Sequence, residues 1–153
     1  MKTLILMSGN ASRVGVRILS ASAADAEGVI ALWRLCGLIR PWNDPQRDFT
    51  SAVSFAGSDI LMLRDGDVLK ASVMVGFDGH RGWVYYLAVP TDSRRMGYAT
   101  RIMDAAAAWL VDIGAPKMQL MVRDGNDDAL AFYSALGFER QSVSTLGRFL
   151  TGN

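Results

Sequence analysis

The sequence predicts a mixed α/β (α+β) layer, a mostly antiparallel meander joined to its last strands by one crossover helix. Three observations predict it. Apolar residues recur at period two in several short runs and at helical spacing in others. Two of the short runs flank Asp65-Gly66, a hairpin turn signal. The third run of that meander ends at Val89 and feeds the loop Pro90-Thr91-Asp92-Ser93-Arg94-Arg95-Met96-Gly97, which opens a long amphipathic helix.

Each element has its own signal. Val14 to Leu19 reads as a first strand, with Val14, Val16 and Ile18 alternating. Ser22-Ala23-Ala24-Asp25 resembles a capping box and starts a helix that runs to about Cys36, where Gly37 ends it. Arg40-Pro41-Trp42-Asn43-Asp44-Pro45 is a rigid connector, because proline restricts its own φ and the residue before it. A short helix is expected from Arg47 to about Ala56. The meander follows as Ile60 to Arg64, Val68 to Phe77 and Trp83 to Val89, with Asp78-Gly79-His80-Arg81-Gly82 as its second turn. Ala99, Ile102, Met103, Ala106, Leu110 and Ile113 share one face of the crossover helix, which Gly114 and Pro116 stop. Lys117 to Val122 is a strand, Asn126-Asp127-Asp128 caps a helix ending at Leu136-Gly137, and Phe138 to Leu150 supplies one or two closing strands. Residues 1–13 are an extension or an extra strand, and 14–153 form a single domain.

Composition excludes some partners. With 153 residues and a formal net charge of +1, the chain can bury a core and carries no general attraction for nucleic acid or anionic membrane. The lone Cys36 cannot form an internal disulfide, and it reads as core packing beside Leu32 and Trp33. No metal ligand cluster is expected. The apolar run after Lys2 is shorter than the roughly 7–15 residues of a signal-peptide core. No stretch reaches the roughly 18–20 apolar residues of a membrane span, so a cytoplasmic location is expected.

The loop before the crossover helix carries the chemistry. A strand end, a glycine turn and a helix start direct backbone N–H groups and the positive helix pole at one point, which suits a phosphorylated ligand. The spacing Arg94-x-x-Gly97-x-Ala99 resembles the pyrophosphate loop R/Q-x-x-G-x-G/A of the GNAT N-acetyltransferases. Asn126-x-x-Ala129-x-x-x-Tyr133-x-x-x-Gly137-Phe138 is similar to that family's second block. Leu38 to Pro45, with Asp78-Gly79-His80-Arg81-Gly82-Trp83, is similar to its YpeA-type bacterial branch.

The resemblance implies a central six- to seven-stranded sheet, splayed between its fourth and fifth strands, with helices on both faces. It implies acetyl-CoA as cosubstrate. Backbone groups of Arg95, Met96, Gly97, Tyr98, Ala99 and Thr100 would hold the diphosphate, with Arg94 and Arg95 adding charge. Leu87, Ala88 and Val89 would pair with the pantetheine arm, and an amide near Leu87 would polarise the thioester carbonyl. Tyr133 would protonate the leaving thiolate. Asn126 is a helix cap, a contact to the cofactor arm, or both.

On the acceptor side the resemblance places Arg40, Trp42, Asn43 and Asp44, and Asp44, Asp78 or His80 could aid proton removal through ordered water. The strand Trp83-Val84-Tyr85-Tyr86-Leu87 holds no carboxylate, a departure from members with a strand-borne glutamate. An acyl-CoA sensor with little catalysis is therefore the alternative. Another class of nucleotide-binding protein is weaker, since neither G-x-G-x-x-G nor G-x-x-x-x-G-K-[ST] occurs in the loop. The acceptor is a small-molecule or protein amine, and family habit allows a homodimer.

Overall fold

The computed structural model describes residues 15–151, so Val14 and the 1–13 extension lie outside the described residues. Two compact units are distinguished, the chain to Leu120 and the segment from Met121.

The first unit contains a sheet of five strands in sequence order. β1 (Val16–Ser20), β2 (Ser58–Asp65), β3 (Val68–Phe77) and β4 (Gly82–Ala88) are antiparallel neighbours. β5 (Met118–Gln119) pairs in parallel with β4. The hairpin between β2 and β3 turns on Gly66, whose φ of +60° a side chain would resist.

Two helices lie between β1 and β2. α1 (Ala26–Leu35) follows a short 3₁₀ turn in which the Ser22 amide donates to Asp25 Oδ2 at 2.8 Å. α2 spans Pro45–Ser54, two residues earlier than the pattern predicts. Pro45 is its first helical residue rather than part of the rigid connector, because the amide that proline lacks has no helical acceptor there. Asp44 caps it, accepting the Arg47 amide at 3.1 Å.

Val29, Ile30, Leu32, Trp33, Phe49 and Ala52 from these helices bury against Ile60, Met62 and Ala88. α3 (Tyr98–Ile113) packs on β2, β3 and β4 from the opposite face through Ile102, Met103, Ala106 and Leu110. Alternation along β2 explains the division, since Ile60 and Met62 face one layer and Leu61 and Leu63 the other. Each such fully buried side chain contributes about 1.5–3 kcal/mol.

In the second unit α4 (Asp127–Ala135) is capped by Asn126, which accepts the Ala129 amide at 3.2 Å. The closing strands expected between Phe138 and Leu150 do not form, so the described sheet has five strands rather than six or seven. The apolar side chains there bury no common face: Leu146 is 92% exposed and Val143 77%. Without a buried face or a partner ladder, alternation alone does not make a strand.

Candidate active site

β4 has two unlike ends. At its start, Gly82 and Trp83 pair with Met118 and Gln119, and the Gly82 amide donates to Lys117 O at 2.8 Å. From Val84 onward β5 no longer accompanies it, which is the predicted opening between the fourth and fifth strands. On the β3 side the register slips: Met74 faces Tyr85, whereas Ser72 faces Ala88. The extra β4 residue makes a bulge, and Tyr86 within it has a φ of +53°. A left-handed tyrosine costs about 1–2 kcal/mol, so the packing around it has to enforce it.

The loop after β4 turns sharply. A 3₁₀ turn, Thr91–Ser93, leads to Arg94 and then to two left-handed residues, Arg95 at φ +65° and Gly97 at φ +78°. A left-handed Gly97 directly before the right-handed start of α3 is the pairing that can turn successive amides toward one concavity. The first α3 hydrogen bond runs from the Arg101 amide to Gly97 O at 3.1 Å, so the helix itself offers no acceptor to the Ala99 and Thr100 amides. A Cβ on Gly97 would meet no atom within 4 Å. Arg94 and Arg95 are exposed. Tyr98 contributes only its backbone here, because its ring is buried and its hydroxyl lies 3.4 Å from Asp65 Oδ2.

Leu87 and Val89 are half-buried and Ala88 is buried. The Val89 amide meets the Cys36 thiol, and Arg94 adds its positive charge there; both oppose the burial that pushes the thiol pKa up. Cys36 therefore borders the loop rather than sitting purely in the core. Its spacing in α1 carries no sign of a neighbour more than fifty residues away.

A polar cluster lies beside the bulge. Tyr86 stacks on Trp33 at 4.1 Å and 10°, and its hydroxyl donates to Asp48 Oδ2 at 2.7 Å. Burial, then the Asp48 hydrogen bond and charge, hold the Tyr86 phenol far above its usual pKa, while a hydrogen bond with Asn43 works the other way. Trp33 Nε1 is buried with no acceptor among the described residues. Asp48 and Tyr86 carry no joint signal in the sequence, because no local pattern joins a first-turn helix residue to a strand so distant in the chain. The strand lacks a carboxylate of its own, and α2 brings one to it.

The other expected acceptor residues are scattered. Asn43 reaches the cluster, and its amide closes a turn on Arg40 O at 3.0 Å. Asp44 serves as the α2 cap. Trp42 is 50% exposed. Asp78 accepts the amides of His80 and Arg81, both at 2.8 Å, and Trp83 Nε1 at 3.3 Å, and these bonds hold its carboxyl low. It borders a cavity of about 370 Å³ walled by Phe55, Phe77, Trp83 and Tyr85. His80 is exposed in that turn, its ring nitrogen 3.5 Å from Arg81 Nη1.

Within the second unit, Tyr133 packs edge-on against Phe132 at 5.0 Å and Phe138 at 5.6 Å. Burial raises its pKa. Among the described residues no three His, Cys, Asp or Glu side chains are grouped to hold a metal ion. No described helix is long and apolar enough to cross a membrane.

The chain is similar to known proteins. The profile of the acetyltransferase (GNAT) family matches residues 27–138. An acetyltransferase of Yersinia enterocolitica is 39% identical over 127 residues, covering 83% of this chain and 90% of the relative. One of Pectobacterium atrosepticum is 40% identical over 126 residues, covering 82% and 89%. Among solved structures, aminoglycoside N-acetyltransferase AAC(6')-Iy in complex with CoA superposes with a TM-score of 0.77 at 15% identity, covering 95% of this chain and all of that one. Glucosamine-6-phosphate N-acetyltransferase from Arabidopsis thaliana gives 0.70 at 16% identity, covering 88% and 98%. The two solved structures speak to the fold alone; with a profile spanning most of its length and two bacterial relatives at 39% and 40% identity, the chain belongs to the acetyltransferase (GNAT) family.

Proposed function

We propose that the chain is an N-acetyltransferase that moves an acetyl group from acetyl-CoA to a primary amine by direct attack in a ternary complex. One observation carries this reading: β4 loses its β5 partner after Trp83 and then runs into an arginine-flanked helix start with a left-handed glycine. An extended ligand can pair with the open strand edge while its diphosphate meets the amides before Arg101 and the side chains of Arg94 and Arg95. Acetyl-CoA supplies the activated acetyl thioester.

The chain's own groups then divide the work. The Leu87 amide polarises the thioester carbonyl. Tyr133, carried over from the family's second block, donates its phenol proton to the departing sulfur. Asp78 and the rings of Trp83 and Tyr85 form a wall suited to a cationic acceptor. That AAC(6')-Iy was captured with a CoA-linked acetylneamine analogue, and that the Arabidopsis protein is named for glucosamine 6-phosphate, supports an amine acceptor here without choosing one.

Calorimetry with acetyl-CoA, ATP and NAD, followed by thiol release across an amine panel, tests this reading. Binding of acetyl-CoA alone and CoA release with at least one amine are expected. Binding without release across the panel would favour an acyl-CoA sensor, and preference for ATP or NAD would end the proposal.

A further inference from the structure

We propose that Asp48, acting through the Tyr86 hydroxyl, receives the proton that the acceptor ammonium must lose before it attacks. This rests on the acetyl-transfer reading above. An alkylammonium has no lone pair to offer, so a transferase needs a proton acceptor beside the thioester carbonyl. β4 offers no carboxylate from its own sequence. The Tyr86–Asp48 hydrogen bond provides one, at the 2.7 Å typical of a hydroxyl held by a charged acceptor.

Three features give the phenol a fixed address. The Trp33 stack sets the plane of its ring, the bulge and its left-handed φ set its direction, and Asp48 fixes its oxygen. Tyr86 directly precedes Leu87, whose amide is assigned to the thioester carbonyl. Trp33 is fully buried and Tyr86 half-buried, whereas Asn43 is exposed, so the cluster opens toward solvent on its connector side.

The proton balance closes. The ammonium passes one proton to the Tyr86 oxygen as the phenol passes its own to Asp48 Oδ2, leaving Tyr86 unchanged. The freed nitrogen lone pair forms the N–C bond at the carbonyl carbon, and the C–S bond breaks. The second nitrogen proton leaves as the amide forms, and the departing thiolate gains one from Tyr133 or solvent. Asp48 returns its proton to water, and the net products are the amide, CoA and one proton.

The test compares two small amines of similar size by thiol release: ethylamine, protonated at neutral pH, and trifluoroethylamine, largely neutral there. Asp48→Asn keeps the shape and can still accept the phenol bond, yet cannot take a proton. It should lower kcat/KM for ethylamine about a hundredfold, and that for trifluoroethylamine by no more than a few fold. Tyr86→Phe should show the same bias, and the acetyl-CoA Kd of both variants should match the wild type. An equal loss with both amines would reduce the pair to a structural contact and overturn the proposal. So would no loss with either. A wild-type protein that releases CoA with neither amine nor any panel member would overturn the transferase reading and this one together. Activity without the bias overturns this one alone.

Discussion

The two ends of β4 are built from the same kind of sequence and do opposite things. At Gly82 and Trp83 the strand is bonded on both edges, and Gly82 lies so close to α3 that a Cβ would come within 2.7 Å of both Leu110 methyls. Four residues on, the strand has lost one neighbour, slipped register with the other and placed Tyr86 in a left-handed conformation. The first end holds the sheet together. The second leaves one strand edge without a β5 partner and ties its phenol to Asp48 and Trp33 instead. The proposed chemistry lies where the ladder fails, beside a place where it is complete.

Four substitutions break or sharpen this contrast. The largest effect is expected for Tyr133→Phe, which should cut turnover about a hundredfold while leaving the acetyl-CoA Kd nearly unchanged. Steady-state thiol release with calorimetry checks it, and unaltered turnover removes Tyr133 from the mechanism. Gly97→Val, at the open end, puts a β-branched side chain at φ +78° in the loop proposed to hold the diphosphate. The Kd for acetyl-CoA should rise by more than tenfold, equivalent to at least about 1.4 kcal/mol. Equal affinity in both proteins would mean that the diphosphate sits elsewhere.

Gly82→Ala perturbs the bonded end instead. The overpacking against Leu110 should cost about 1–3 kcal/mol, read by urea unfolding, with the Kd for acetyl-CoA unchanged. A lost Kd with intact stability would reverse the assignment of the two ends. The smallest effect belongs to Asp44→Ala, which removes the α2 cap and should cost about 1 kcal/mol of stability. Its KM for the acceptor should stay the same. A sharp rise in KM would restore the acceptor-binding role that the sequence suggests for Asp44.

Much of this was legible in the chain itself, for stated reasons. The β2–β3 hairpin, α3 and the Gly97 loop announce themselves because period, turn residues and breakers act over a few positions. The opening between β4 and β5 was reached by family likeness, since nothing local in Val84 to Ala88 says that a neighbour is missing. Asp48, Tyr86 and Cys36 were illegible as site residues, because contacts over tens of positions leave no periodic trace. The tail misled for the converse reason: Val143, Leu146 and Phe149 supply apolar residues without a surface to cover.

The most direct measurement is a crystal structure of the protein with acetyl-CoA. The account predicts diphosphate oxygens within about 3.2 Å of main-chain amides between Arg95 and Thr100, and the pantetheine arm lying along Leu87 in the gap that β5 leaves. Density for the diphosphate away from that loop, with the β4 edge beyond Trp83 bare of ligand, would contradict it.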